Sequence, residues 1–116
     1  MSWLKKIGQW FDLVVDWSSV YKWVFVEDSP DILESKTIYL IGDFNNPWAA
    51  SFICPCGCNE TISLSLIPTD RPKWKVFYNK NKTISLRPSI HRLKNCKSHF
   101  FIQNGKVVWA RDLPYR

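Results

Sequence analysis

His99-Phe-Phe-Ile-Gln-Asn-Gly-Lys-Val-Val-Trp-Ala110 decides the fold class of this 116-residue chain. Two apolar runs flank Asn104-Gly105, and Asn-Gly accepts the positive φ values that a two-residue hairpin turn requires. The runs are continuous, which suits strands covered on both faces. Upstream, Thr83-Ile-Ser-Leu86 and Lys73-Trp-Lys-Val-Phe-Tyr78 alternate around a turn at Asn79-Lys-Asn-Lys82. Thr61-Ile-Ser-Leu-Ser-Leu66 alternates cleanly and predicts one buried face. Ala49 to Ile53, Thr37 to Ile41 and Tyr21 to Glu27 read as further strands, giving about eight in all. Between them, Gly42 to Pro47 reads as a loop, and Ser29 to Ser35 as one helical turn with Ser29 as cap and Pro30 at its first position. The pattern predicts a mainly β fold, a small sandwich or partly open barrel, with Val76, Ile84, Phe101 and Val108 in its core.

The first twenty residues have a different period. Trp3, Ile7, Trp10, Val14 and Trp17 recur at helical spacing, with Leu4 and Phe11 widening the stripe, so residues 3–17 predict an amphipathic helix capped by Ser2. The expected organisation is an N-terminal helix over 1–20 and a β domain over 21–116. The Trp3, Trp10 and Trp17 stripe packs on its own domain or docks a partner.

Charge is unevenly placed. Residues 1–50 carry four Lys/Arg against seven Asp/Glu, a net −3, and residues 51–116 carry twelve against three, a net +9. A basic half implies an acidic partner or a solvated cationic surface. No run of residues approaches the length of a membrane span. Asp12 and Asp16 break the N-terminal apolar run, and a cytoplasmic location is expected, where thiols stay reduced.

All four cysteines fall in two short segments, Cys54-Pro-Cys-Gly-Cys58 and Cys96-Lys-Ser-His99. Thiolates at such spacing converge on one ion, and two short segments brought together by a fold complete a tetrahedral site. Cys54, Cys56, Cys58, Cys96 and His99 are five candidates for four positions, and spacing does not choose among them. His91 lies outside the Cys-x-x-His unit. A thiolate-rich set suits zinc better than an iron–sulfur cluster of the Rieske type, which needs paired histidines. A disulfide and a catalytic cysteine are the remaining readings.

Val24 to Glu34, Ile38-Tyr-Leu40, the Cys-Pro-Cys-Gly-Cys unit, Ile84-Ser-Leu-Arg-Pro-Ser-Ile90, Cys96-Lys-Ser-His-Phe-Phe101 and Gly105-Lys-Val-Val-Trp109 together resemble the bacterial family of domain of unknown function 6527. The resemblance covers residues 21–112. It implies a small β-rich zinc-binding protein encoded beside ubiquitin-like proteins and their activating and conjugating enzymes.

On these grounds the expected function is a zinc-stabilised accessory or protein-interaction module in a bacterial ubiquitin-like conjugation system, with that ubiquitin-like protein or its activating or conjugating enzyme as partner. Trp3, Trp10, Trp17, Lys73, Lys75 and Arg92 are the candidate contact residues. Nucleic-acid binding is the main alternative, because basic residues from Arg71 to Lys97 interleave with Trp74, Phe77 and Tyr78. Enzymatic readings are a Rieske-like or zinc-dependent enzyme, or serine chemistry from Ser89, His91 and Asp70 or from Ser98 and His99. No nucleophile-elbow motif surrounds either serine, and no catalytic residue is assigned.

Overall fold

Eight strands follow in chain order: β1 (Lys22–Val26), β2 (Thr37–Asp43), β3 (Asn46–Ile53), β4 (Thr61–Ser65), β5 (Lys75–Tyr78), β6 (Ile84–His91), β7 (His99–Gln103) and β8 (Lys106–Trp109). They belong to a computed structural model that describes residues 19–93 and 96–110. The helix expected over 3–17, with Trp3, Trp10 and Trp17, lies outside the described residues. Among the described residues there is no α-helix.

The strands form two four-stranded sheets, ordered β1-β2-β3-β4 and β5-β6-β7-β8. Among the described strands only the β1–β2 pair is parallel; the other pairs are antiparallel. Neither sheet closes into a barrel. Alternation in the sequence becomes alternation in the pleat. In β4, Ile62 and Leu64 are buried while Thr61 and Ser63 face out. In β7, Phe100 and Ile102 are buried, which puts His99 and Phe101 on the outer face.

The two inner faces share one core. Ile38, Leu40, Ala50, Phe52, Ile62 and Leu64 of the first sheet meet Ile84, Leu86, Ile90, Phe100 and Ile102 of the second. Phe52 and Phe100 have edge-to-face rings with centroids 6.4 Å apart, the arrangement their quadrupoles favour. Of the four residues expected in the core, Ile84 is fully buried and Val76, Phe101 and Val108 are half-buried. Phe101 and Val108 are register partners on the outer face, so a continuous apolar run here marks an apolar exterior rather than two-sided burial.

Three local expectations change. Residues 29–35 form bends and a turn, not a helical turn. The expected loop from Gly42 to Pro47 shrinks to a turn at Phe44 and Asn45, because Asn45 takes φ +67° and lets strand pairing run to Asp43 and Asn46. Strand β6 continues past Leu86 to His91 despite Pro88. Its register with β7 steps from Leu86↔Ile102 to Ile90↔Phe100, so residues 87–89 bulge out of the ladder where proline's missing N–H does least harm.

Candidate active site and metal centre

The cysteines lie on two hairpin loops, one from each sheet. Ile53 pairs with Thr61 across the β3–β4 hairpin, and Cys54 N donates to Glu60 O at 2.8 Å, so residues 54–60 are pinched into a tight knuckle. Gly57 turns at φ +99° inside it. His91 pairs with His99 across the β6–β7 hairpin, and Arg92 N donates to Ser98 O at 2.7 Å, which holds Cys96 in the second loop. The four sulfurs of Cys54, Cys56, Cys58 and Cys96 all lie within 4.8 Å of one another, a group able to hold a metal ion. Cys54 is buried, Cys96 half-buried, and Cys56 and Cys58 exposed.

Their surroundings differ in what they do to protons. Burial pushes the Cys54 thiol up to about 12. The Ser98 hydroxyl, 3.2 Å from Cys96 Sγ, holds that thiol down at about 6. A cation at the centre would favour the thiolate at both. Arg92 stands beside them: its Nη2 pairs with Glu60 Oε1 at 2.9 Å, and its Nη1 is buried with no hydrogen-bond partner among the described residues. A buried guanidinium N–H next to a thiolate cluster fits a site that carries net negative charge once loaded. The donor set and this orphaned N–H both match a bound divalent ion. Arg92, a candidate contact residue, lies beside Cys54 and Cys96 and pairs with Glu60.

His99 is not in the sulfur cluster. Its Nε2 shares a hydrogen bond of 3.0 Å with Ser89 Oγ. Ser98 and His99 are consecutive on the chain, so when Ser98 turns its hydroxyl to the sulfurs, His99 points to the opposite face. There His99 stacks on its register partner His91, centroids 4.4 Å apart and planes 14° apart, with Phe101 beyond it at 6.2 Å. Ser89, two residues before His91 in β6, shares its outward face and so lies beside His99. Its backbone is anchored as well: Trp74 Nε1 donates to Ser89 O at 3.2 Å. A serine hydroxyl hydrogen-bonded to an imidazole nitrogen is the arrangement in which the imidazole can take the hydroxyl proton as the oxygen attacks a carbonyl. Asp70, grouped with Ser89 in the sequence-based triad, accepts from Ser65 Oγ at 2.6 Å.

One cleft is lined by His99 and a second reaches Pro88, while Ser89 is in the lining of neither. The first, of about 540 Å³, is lined by Cys56, Cys96, Lys97, Ser98, His99 and Trp109. The other, of about 480 Å³, is lined in part by Leu66, Lys73, Trp74, Lys75, Arg87 and Pro88, and so ends one residue short of Ser89. The serine–histidine pair escaped sequence reasoning because it depends on cross-strand register. The usable signal was Ser89 and His91 at alternating positions in one strand.

The family profile for BubE, described as a bacterial ubiquitination-like system serine protease, matches residues 25–110. The match does not name domain of unknown function 6527, and agrees with that resemblance on the ubiquitin-like setting. Comparison with curated proteins and with solved structures finds no match. With well over half its length matched by that profile, and with a serine and a histidine in hydrogen-bond contact, the chain belongs to the BubE family of bacterial ubiquitination-like systems.

Proposed function

We propose that the chain is a serine peptidase acting on a ubiquitin-like protein, with Ser89 as nucleophile, His99 as general base and acid, and a structural zinc on Cys54, Cys56, Cys58 and Cys96. The observation that carries it is the 3.0 Å contact between Ser89 Oγ and His99 Nε2. The family's description as a serine protease supports the same chemistry. In the first half-reaction Ser89 Oγ forms a bond to the scissile carbonyl carbon while His99 Nε2 takes the hydroxyl proton. The tetrahedral species collapses, the bond to the leaving amine breaks, and His99 returns the proton to that amine. Water then attacks the Ser89 acyl ester with His99 again accepting a proton, and the carboxylic acid leaves as Ser89 regains its hydrogen.

Zinc suits the sulfur set. Zn–S bonds of about 2.3 Å in a tetrahedron place sulfurs roughly 3.8 Å apart, and Cys54 Sγ and Cys96 Sγ are 3.6 Å apart. Four protein thiolates leave no open position, so the ion would stabilise structure and take no part in the reaction. Because the two loops come from opposite sheets, it would tie the sandwich together at the end that carries His99. The cytoplasm, where thiols stay reduced, is the compartment this reading implies.

Labelling with a fluorophosphonate, followed by peptide mass analysis, tests the assignment. The adduct is expected on Ser89, absent from Ser89→Ala and strongly slowed in His99→Ala. Cleavage of a ubiquitin-like fusion should fall on the order of 10³-fold or more in either variant. An unlabelled Ser89, with processing of the fusion unchanged in Ser89→Ala, would return the chain to the non-catalytic interaction module expected from its sequence.

A further inference from the structure

The cleft on the Pro88 side of the serine has a distinct chemistry. Its lining includes the apolar Leu66, Trp74, Val76 and Tyr78 and the cations Lys73, Lys75 and Arg87, with no carboxylate, and Lys73 Nζ donates to Pro68 O at 3.1 Å. Lys75 Nζ and the Arg87 guanidinium lie 5.7 and 5.8 Å from the Phe77 ring centroid, so two cations flank an aromatic that is 39% exposed. Lys75 and Arg87 are register partners, which fixes both charges on one side of the sheet. The groove runs beside β5, which pairs with β6 alone among the described strands and is an edge of its sheet. An edge strand offers main-chain N–H and C=O groups to an extended chain, and alternate side chains of that chain can enter the groove. Arg87 and Pro88 lead directly into Ser89, and Trp74 both lines the groove and holds the Ser89 carbonyl.

We infer that this groove binds an extended segment of the substrate protein that combines carboxylate and apolar side chains, and delivers its scissile carbonyl to Ser89. The inference rests on the peptidase reading, to which it adds the chemistry of the segment recognised. Charge selects the occupant: an extended chain laid along β5 meets Lys75 and Arg87 on one face and Trp74, Val76 and Tyr78 on the other, so alternate acidic and apolar side chains are favoured and basic ones repelled. The apolar lining takes side chains that a purely electrostatic contact would leave in water.

The test measures binding, not turnover. In Ser89→Ala full-length protein, a short fluorescein-labelled peptide of alternating glutamate and leucine should bind, and binding should weaken with added salt. Lys73→Glu/Lys75→Glu should weaken it by roughly tenfold or more. The charge-matched Lys22→Glu/Lys106→Glu should not change it. If the double reversal fails to fold, as judged by thermal melting, Lys73→Gln and Arg87→Gln provide the same reading with milder changes. In wild-type protein the unlabelled peptide should slow fluorophosphonate labelling of Ser89.

Equal binding of a lysine–leucine peptide, or no effect of the charge reversals, overturns the inference. Tighter binding of single-stranded RNA that is lost in the same variants also overturns it, and makes the groove a nucleic-acid site. Because binding is read in a protein without the nucleophile, the groove can fail while Ser89 still labels. If Ser89 does not label, delivery of a scissile carbonyl falls with the peptidase reading, while binding of the acidic segment is still read separately.

Discussion

Ser98 and His99 are neighbours on the chain and serve opposite faces of it. Ser98 is buried and turns its hydroxyl to Cys96 and Cys54, at 3.2 and 3.9 Å. His99 turns to Ser89. The sequence places Cys96-Lys-Ser-His99 in the pattern of a metal half-site, and the pleat separates its two ends. His99→Ala should therefore keep a full complement of zinc by elemental analysis while losing Ser89 reactivity. Cys96→Ser should lose zinc. Loss of zinc in His99→Ala would put the imidazole back among the ligands. The four cysteines were legible because their spacing is local within each loop. Ser89 with His99 was not, because the pair depends on the β6–β7 cross-strand register, which no local window contains.

At the scale of elements, Asn104-Gly105 shows why the strands could be read. Both residues take positive φ, +53° and +77°, as the dipeptide predicts. The turn is also packed. A Cβ added at Gly105 would lie 2.9 Å from Val20 Cγ1 and 3.2 Å from Thr83 Cβ. Gly105 N donates to Ile84 O at 2.8 Å, and Tyr21 N donates to Gly105 O at 2.7 Å. Gly105→Ala should cost about 1–3 kcal/mol in chemical denaturation, from backbone strain and overpacking together. Alternation and turn residues are properties of short windows, so β4, β7 and β8 emerged close to their observed bounds. Sheet membership, the parallel β1–β2 pair and the extension of β6 through Pro88 depend on partners distant in sequence, and no window contains them.

For the whole molecule, the core and the sulfur cluster divide the work of holding two sheets together. Phe52 and Phe100 fill the centre of the sandwich, both fully buried. The four sulfurs gather at the end where the β3–β4 and β6–β7 loops meet, and a metal bound there would clamp it. Ligand binding confined to the folded state adds stability that grows with the logarithm of free ligand over its dissociation constant, about 4 kcal/mol at a thousandfold excess. Zinc removal by a chelator should therefore lower the melting temperature by several degrees or more, and zinc readdition should restore it. Iron in the purified protein, or a melting temperature indifferent to chelator, would contradict a structural zinc.

The same clamp sets a clock during synthesis. Cys54, Cys56 and Cys58 leave the ribosome together, and Cys96 follows 42 residues after Cys54. At roughly 5–20 residues per second that interval is about 2–8 s. Throughout it a nascent chain displays three thiols without their fourth partner. It also lacks residue 105, whose carbonyl receives the Tyr21 amide. A metal captured in that interval would be held by three thiolates, and the site would close only when Cys96 arrives.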